Sequence, residues 1–271
     1  MTVSMALEGV SFAYPDGTRA LEAIDLWIEP GERVALVGQN GSGKSTLVRQ
    51  LNGLLRPTTG RVLVDGVDAG RRHVADLARS VGLVFQNPDR QIFAASVRRE
   101  VAFGPRNLGL RGRELEARVQ RALEAVGLSG EAGTNPYDLG YSRRKSLALA
   151  SILAMETPAV VLDEPTTGQD ARGVARVQEV IAELSAEGRT LIAISHDMRF
   201  VAETFERVVV MAAGRIVLDG TPAEVFDEAA WPTLAETYLE PPFAARIGAR
   251  MGLGPTPTEA AFVEAVASSP R

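Results

Sequence analysis

The residues GQNGSGKS place Gly38, Gly43, Lys44 and Ser45 on the spacing of a phosphate-binding loop, preceded by the apolar run RVALVG and followed by a helical pattern from Lys44 to about Asn52. Glycines let the backbone wrap until successive N–H groups point at one spot, and the helix beginning near Lys44 turns its partial positive end toward it. An ammonium at Lys44 then reaches the β- and γ-phosphates of ATP, and the Ser45 hydroxyl becomes a ligand of Mg²⁺. Asn40, Gly41 and Ser42, with Thr46 just beyond, complete the candidate ATP contacts.

A second acidic motif lies downstream. In AVVLDEPTTGQD an apolar run ends at Asp163, with Glu164 beside it. A carboxylate there can hold the Mg²⁺ shell through water, and its neighbour can polarise an attacking water. The apolar run LIAIS leads to His196, and VGLVFQ ends in Gln86, whose amide can bind Mg²⁺ or water. Ligands of open α/β sheets collect outside the carboxyl ends of the strands, so these runs would deliver their terminal side chains to one edge. The chemistry is nucleoside triphosphate hydrolysis, with Lys44, Glu164 and His196 as candidate catalytic residues.

The elements needed to position these groups are legible in outline. ALEGVSFAY and ALEAIDLWI, separated by PDGT, read as an antiparallel β-layer, and RVLVDG adds a further β-like run. From RVALVG to RVVVMAAG, strands alternate with helices, which predicts a mainly parallel sheet. The stretch from about 87 to 155 is dominated by helices and reads as an inserted helical subdomain. In it, Leu115, Val119, Ala122, Leu123 and Val126 share one helical face and Gly127 stands at the C-terminal cap position. Beyond Thr221, prolines interrupt short amphipathic pieces in which Phe243, Ile247 and Met251 recur every fourth residue. That predicts a helical extension packed on its own domain or facing a partner. The fold class is therefore α/β: a P-loop NTPase with a mainly parallel sheet, an antiparallel β-layer, a helical insertion and a C-terminal helical extension. Residues 1–221 form the nucleotide-binding domain and 222–271 the extension.

Composition narrows the partners. A net charge of −5 and a pI near 5.3 argue against a nucleic-acid surface, which needs clustered cations. Arg71-Arg72 and Arg143-Arg144-Lys145 read as solvated faces. The chain has no cysteine and 2 histidines, which excludes disulfides and thiolate metal sites and argues against a histidine zinc site. No run approaches the ~20 apolar residues of a membrane span, so any membrane would be supplied by another protein. The start MTVSMALEGVSF lacks the basic and apolar regions of a signal peptide.

Taken in order, these motifs resemble those of the ATP-binding-cassette ATPases over nearly the whole first 220 or so residues. The resemblance identifies the Walker A loop at Gly38 to Thr46, the Q-loop at Gln86, the Walker B strand ending at Asp163 with Glu164 following, the D-loop through Asp170, and the switch histidine at His196. It places Tyr14 where an aromatic residue stacks on adenine; the other reading of Tyr14 is a strand aromatic alternating with Phe12. The segment FQNPDRQIFAASVRREVAFGPRNLGL resembles the ATPase subunits of energy-coupling factor and cobalt or nickel importers. That likeness implies a pair of ATPase subunits at the cytoplasmic face of the cell membrane, an integral membrane component, and a separate membrane subunit that selects a vitamin or metal ion.

One stretch departs from the pattern. The signature of the family, Leu-Ser-Gly-Gly-Gln, which acts on the partner's ATP, falls here on Leu139, Gly140, Tyr141, Ser142 and Arg143. A tyrosine at a glycine position should hinder close approach to phosphate. Arg143 could offer phosphate a charged fork, or belong with Arg144 and Lys145 to an exposed first helical turn. The degenerate signature favours a heterodimer, in which a second ATPase supplies a normal signature. The competing readings are a non-transport ATPase of the same family and a nucleotide-binding module with little hydrolysis.

Overall fold

A computed structural model describes residues 2–268. β1 (Met5–Ala13) and β2 (Arg19–Ile28) form a hairpin, and β3 (Arg33–Val37) leads through the phosphate-binding loop into α1 (Lys44–Leu51). β4 (Thr59–Val64), β5 (Val67–Asp68), α2 (Val74–Leu77) and β6 (Val81–Val84) follow. Then come α3 (Val97–Asn107), α4 (Gly112–Ala125) and α5 (Tyr141–Leu153). Strands and helices alternate again as β7 (Ala159–Asp163), α6 (Ala171–Ala186), β8 (Thr190–Ile194), α7 (Met198–Thr204), β9 (Arg207–Ala212) and β10 (Arg215–Gly220). The chain continues through α8 (Pro222–Val225), α9 (Trp231–Glu236), α10 (Phe243–Arg250) and α11 (Glu259–Ser268).

The strands form two sheets, an antiparallel one in the order β2-β1-β4-β5 and a larger one in the order β10-β9-β3-β8-β7-β6. In the larger sheet β9, β3, β8, β7 and β6 run parallel, and β10 returns antiparallel at the edge. Central parallel strands are covered on both faces, so alternate residues of each feed two different cores. Val34, Leu36, Val161, Ile192 and Ile194 pack toward the antiparallel layer and α1. Ala35, Val37, Val160, Leu162 and Ala193 pack with the apolar sides of α4, α5 and α6.

The apolar face predicted for α4 is buried, and Gly127 ends the helix as expected. It has φ of 70°, donates to Glu124 O, and lets Leu128 N reach Leu123 O at 2.8 Å, the paired bonds of a Schellman cap. The segment before α3 is tied down by its own side chains. Glu100, 3% exposed, accepts from the amides of Phe93 and Ala94, while Gln91 accepts from Phe85 N and donates to Ala148 O and Ser151 Oγ. Gln91 thereby couples the chain just past β6, where Gln86 follows Phe85, to α5.

The extension is helical, but its four-residue stripe does not face the core. Phe243 is 74% and Met251 56% exposed, and Ile247 is half-buried. The buried side of α10 is instead Ala245 and Gly248, because a Cβ at Gly248 would lie 1.9 Å from Thr256 Oγ1. Close approach on that side leaves the large apolar groups outward.

Candidate active site

Parallel register brings the chemical groups together. Leu36 of β3 and Asp163 of β7 both align with Ile194 of β8, and Val84 of β6 aligns with Leu162. The loop after β3, Asp163 and Glu164, His196 and Gln86 therefore emerge at one edge of the sheet. A cavity of about 290 Å³ lies there, bounded by Tyr14, Lys44, Ser45, Gln86, Asp163 and Glu164 among others.

The phosphate-binding loop demands glycine at two places. At Gly38, φ 145°, a Cβ would fall 2.2 Å from Met211 O, and at Gly43, φ 103°, it would fall 2.5 Å from Ala20 O. Gly43 caps α1 without a side-chain bond, so the first N–H groups of the helix keep their donors for an anion. Lys44 Nζ bonds Gly38 O at 2.6 Å and Gln39 O at 2.9 Å, which holds the ammonium inside the loop. Asn40, Gly41, Gly43 and Thr46 line the cavity, whereas Gly38 and Ser42 are buried behind it. Tyr14 lies just past β1, at the edge of the cavity. Its ring meets Phe12 edge to face at 4.9 Å, and its hydroxyl bonds Thr46 Oγ1 at 2.8 Å beside the cavity.

The carboxylates are set differently. Asp163 is 4% exposed, and burial raises its pKa while a bond from Ser45 opposes the shift. Glu164 has φ of 53°, a left-handed conformation, and its N–H donates to Ile194 O at 2.9 Å. Its Oε2 lies 2.7 Å from His196 Nδ1 and accepts from Thr167 Oγ1 at 3.3 Å. His196 is mostly exposed and meets the site through Glu164. Burial lowers the pKa of Lys44, with Glu164 and Asp163 acting against it.

A metal would find partial ligation here. Asp163 Oδ1 is buried without a hydrogen-bond partner, beside the Ser45 hydroxyl and with Gln86 on the same cavity. Among the described residues no three His, Asp or Glu side chains could hold a metal by themselves. A small oxygen-seeking cation sharing its remaining ligands with phosphate and water fits this donor set.

The signature region lies outside the cavity. Leu139 is buried, Gly140 caps α5, and Tyr141, 40% exposed, opens the helix. Arg143 is held within the helical insertion by an ion pair with Glu131 and a bond to Gly127 O at 3.2 Å. Arg144 pairs with Asp89 at 3.0 Å. Asp170 caps α6, its Oδ1 accepting from Gly173 N at 2.8 Å.

Lys145 corrects the reading of this triplet as an exposed helical turn. It is 5% exposed, and its ammonium donates to the carbonyl oxygens of Glu164 and, at 3.0 Å, of Thr167. The i, i+4 spacing to the apolar Leu149 was the available signal, masked by two arginines immediately before it. Burial pushes the Lys145 ammonium down to about 8, with Glu164 and Asp163 opposing. Between about 8 and the ordinary value of 10.5, the unfolded chain then holds more protons than the folded one, so stability should rise with pH through this group. Urea midpoints at about pH 7.5 and about pH 9.5 should show that gain in the wild type relative to Lys145→Gln.

Residues 21–167 match the ABC transporter family model. The energy-coupling factor transporter ATP-binding protein EcfA of Methanothermobacter thermautotrophicus is 46% identical over 225 residues, covering 82% of this chain and 72% of that protein. The EcfA protein of Methanocaldococcus jannaschii is 45% identical over 80% of this chain and 78% of its own length. The solved structure of cbiO1 from Clostridium perfringens, part of the ABC transporter complex cbiONQ, superposes with a TM-score of 0.75 at 38% identity, covering 92% of this chain and 98% of that one. With the phosphate-binding loop after β3 and the acidic end of β7 at one sheet edge, the chain belongs to the ATP-binding-cassette ATPases, in the energy-coupling factor transporter group.

Proposed function

We propose that this ATPase energises a membrane importer of a vitamin or transition-metal ion, working at the cytoplasmic face of the membrane as one half of a pair with a second, different ATPase. The observation that carries the pairing is an imbalance within one chain. Lys44, Asp163, Glu164 and His196 stand assembled at one site, while Tyr141 occupies the helix start where a partner's phosphate would need small residues. Residues 1–221 would bind and hydrolyse ATP, and 222–271 would serve assembly.

At the chain's own ATP, the amides of the loop and the start of α1 bind phosphate oxygens, and Lys44 turns from the loop carbonyls to the β- and γ-phosphates. Tyr14 offers its ring to adenine. Mg²⁺, when bound, would neutralise charge on the phosphate oxygens, held by Ser45, Gln86 and Asp163. Glu164 orients the attacking water and draws on its proton, and His196 fixes the Glu164 carboxylate.

Among the described residues no helix is long and apolar enough to cross a membrane, so coupling needs a docking face. An apolar groove of about 350 Å³ beside the Q-loop segment supports one. Phe93 and Phe103, 59% and 47% exposed and in edge-to-face contact at 4.7 Å, stand on its rim. Affinity purification of the tagged chain from detergent-solubilised membranes tests the assembly. The expected result is a second ATPase and an integral membrane protein in comparable amounts, with the membrane protein lost in Phe103→Asp. A chain recovered without any membrane protein would overturn the transport reading.

A further inference from the structure

The first turn of α5 makes contacts that neither phosphate binding nor membrane docking requires. Three of its side chains reach back onto the segment between Glu164 and Gln169 of the same chain. Lys145 Nζ donates to Glu164 O and Thr167 O. The Ser142 hydroxyl bonds Gln169 Oε1, whose Nε2 returns a weaker bond to Ser142 O at 3.4 Å. Tyr141 lays its ring over Gly168, so closely that a Cβ on that glycine would lie 2.8 Å from Tyr141 Cε1.

The segment they hold carries a strained residue. Glu164 adopts a left-handed backbone, an arrangement that persists only where its surroundings over-determine it. Its N–H is fixed by Ile194 O, its carboxylate by His196 and Thr167, and its carbonyl by Lys145 and, more weakly, by Thr167 N at 3.4 Å. The Lys145 contact is the one that arrives from the helical insertion.

The choice of lysine is informative. Burying an ammonium costs free energy that a methionine in the same space would not incur. Two backbone carbonyls and the neighbouring Asp163 and Glu164 carboxylates offset that cost, and charge-assisted bonds are about twice as strong as neutral ones. Lys44 from the phosphate loop and Lys145 from α5 thus both neutralise the Asp163–Glu164 pair, each from a different structural unit.

We propose that Lys145 is a positioning residue for Glu164, and that Tyr141, Ser142 and Lys145 form a clamp from α5 onto the chain's own D-loop. The helix whose family role is toward a partner's ATP here governs hydrolysis at the chain's own ATP. A shift of the helical insertion would reach the Glu164 turn through these contacts. The clamp rests on the assignment of Glu164 as the group that orients the attacking water.

The test compares ATP hydrolysis by the intact assembly carrying wild-type chain, Lys145→Met, Lys145→Gln or Glu164→Gln. Displacement of a catalytic group by about 1 Å costs up to about a hundredfold, so Lys145→Met should lower kcat by about tenfold or more with KM for ATP within about twofold of wild type. Lys145→Gln, which retains a donor, should recover part of the loss. A Lys145→Met kcat within about twofold of wild type, or a loss confined to KM, overturns the clamp. Should Lys145→Met not fold, Gln169→Ala, which removes the Ser142 contact from the D-loop side and leaves the helix start facing the partner unaltered, should lower kcat about threefold at unchanged KM. An unchanged kcat there overturns the clamp equally. Glu164→Gln separates the two levels. Turnover that survives it overturns the Glu164 assignment and the clamp with it; turnover lost there, with Lys145→Met at the wild-type rate, overturns the clamp alone.

Discussion

Glu164→Gln should lower steady-state ATP hydrolysis by about a hundredfold or more while ATP binding persists. The substitution preserves shape, so the amide oxygen can still face His196 and the loop that binds phosphate is untouched. What is lost is an oxygen able to draw a proton from water. Glu164 is 7% exposed, its backbone is pinned to Ile194, and its Oε2 lies 2.7 Å from His196 Nδ1, so the carboxylate meets the cavity in one orientation. The other carboxylate does not substitute for it. Asp163 lies deeper, beside Ser45, and its free oxygen suits the metal shell. Phosphate release gives the rate and a fluorescent ATP analogue gives the affinity. Turnover within about tenfold of wild type would remove Glu164 from the proposed chemistry.

Much of this site was legible because its signals are local. The glycine spacing from Gly38 to Gly43 encodes a backbone path, and the apolar runs before Asp163, His196 and Gln86 encode parallel strands whose ends must lie together. Gly127 announced the end of α4 for the same reason, since its positive φ is a property of one residue. The features misread or left open depend on what lies opposite. Lys145 looked like the third member of an exposed basic turn, yet the segment from Glu164 into the D-loop packs over it and supplies two carbonyls. Phe243 and Met251 carry helical spacing that says nothing of direction, and the contact between Gly248 and Thr256 turns them outward. Arg143 was legible as a cation but not as the partner of Glu131, twelve residues earlier across a loop.

Pairing with a second ATPase should raise hydrolysis at this chain's Glu164 by about tenfold or more over the chain alone. In a homodimer both ATP sites would face the helix start built from Gly140, Tyr141 and Ser142. The α5 amides there lack a side-chain cap and could meet phosphate, but Tyr141 stands beside them, and its ring is committed to Gly168. Arg143 does not compensate, because Glu131 and Gly127 O hold its guanidinium within the helical insertion. Donors aimed at developing charge act only from hydrogen-bond distance, so an obstructed approach forfeits most of their effect. A partner with small residues at these positions would complete this chain's site and leave its own ATP facing Tyr141. The direct measurement is ATP turnover per mole of this chain, alone and then with its co-purified partner ATPase. The account predicts near-background turnover alone and a rise on pairing that Glu164→Gln abolishes; full turnover by the chain alone, unchanged by Tyr141→Ala or Arg143→Ala, would contradict it.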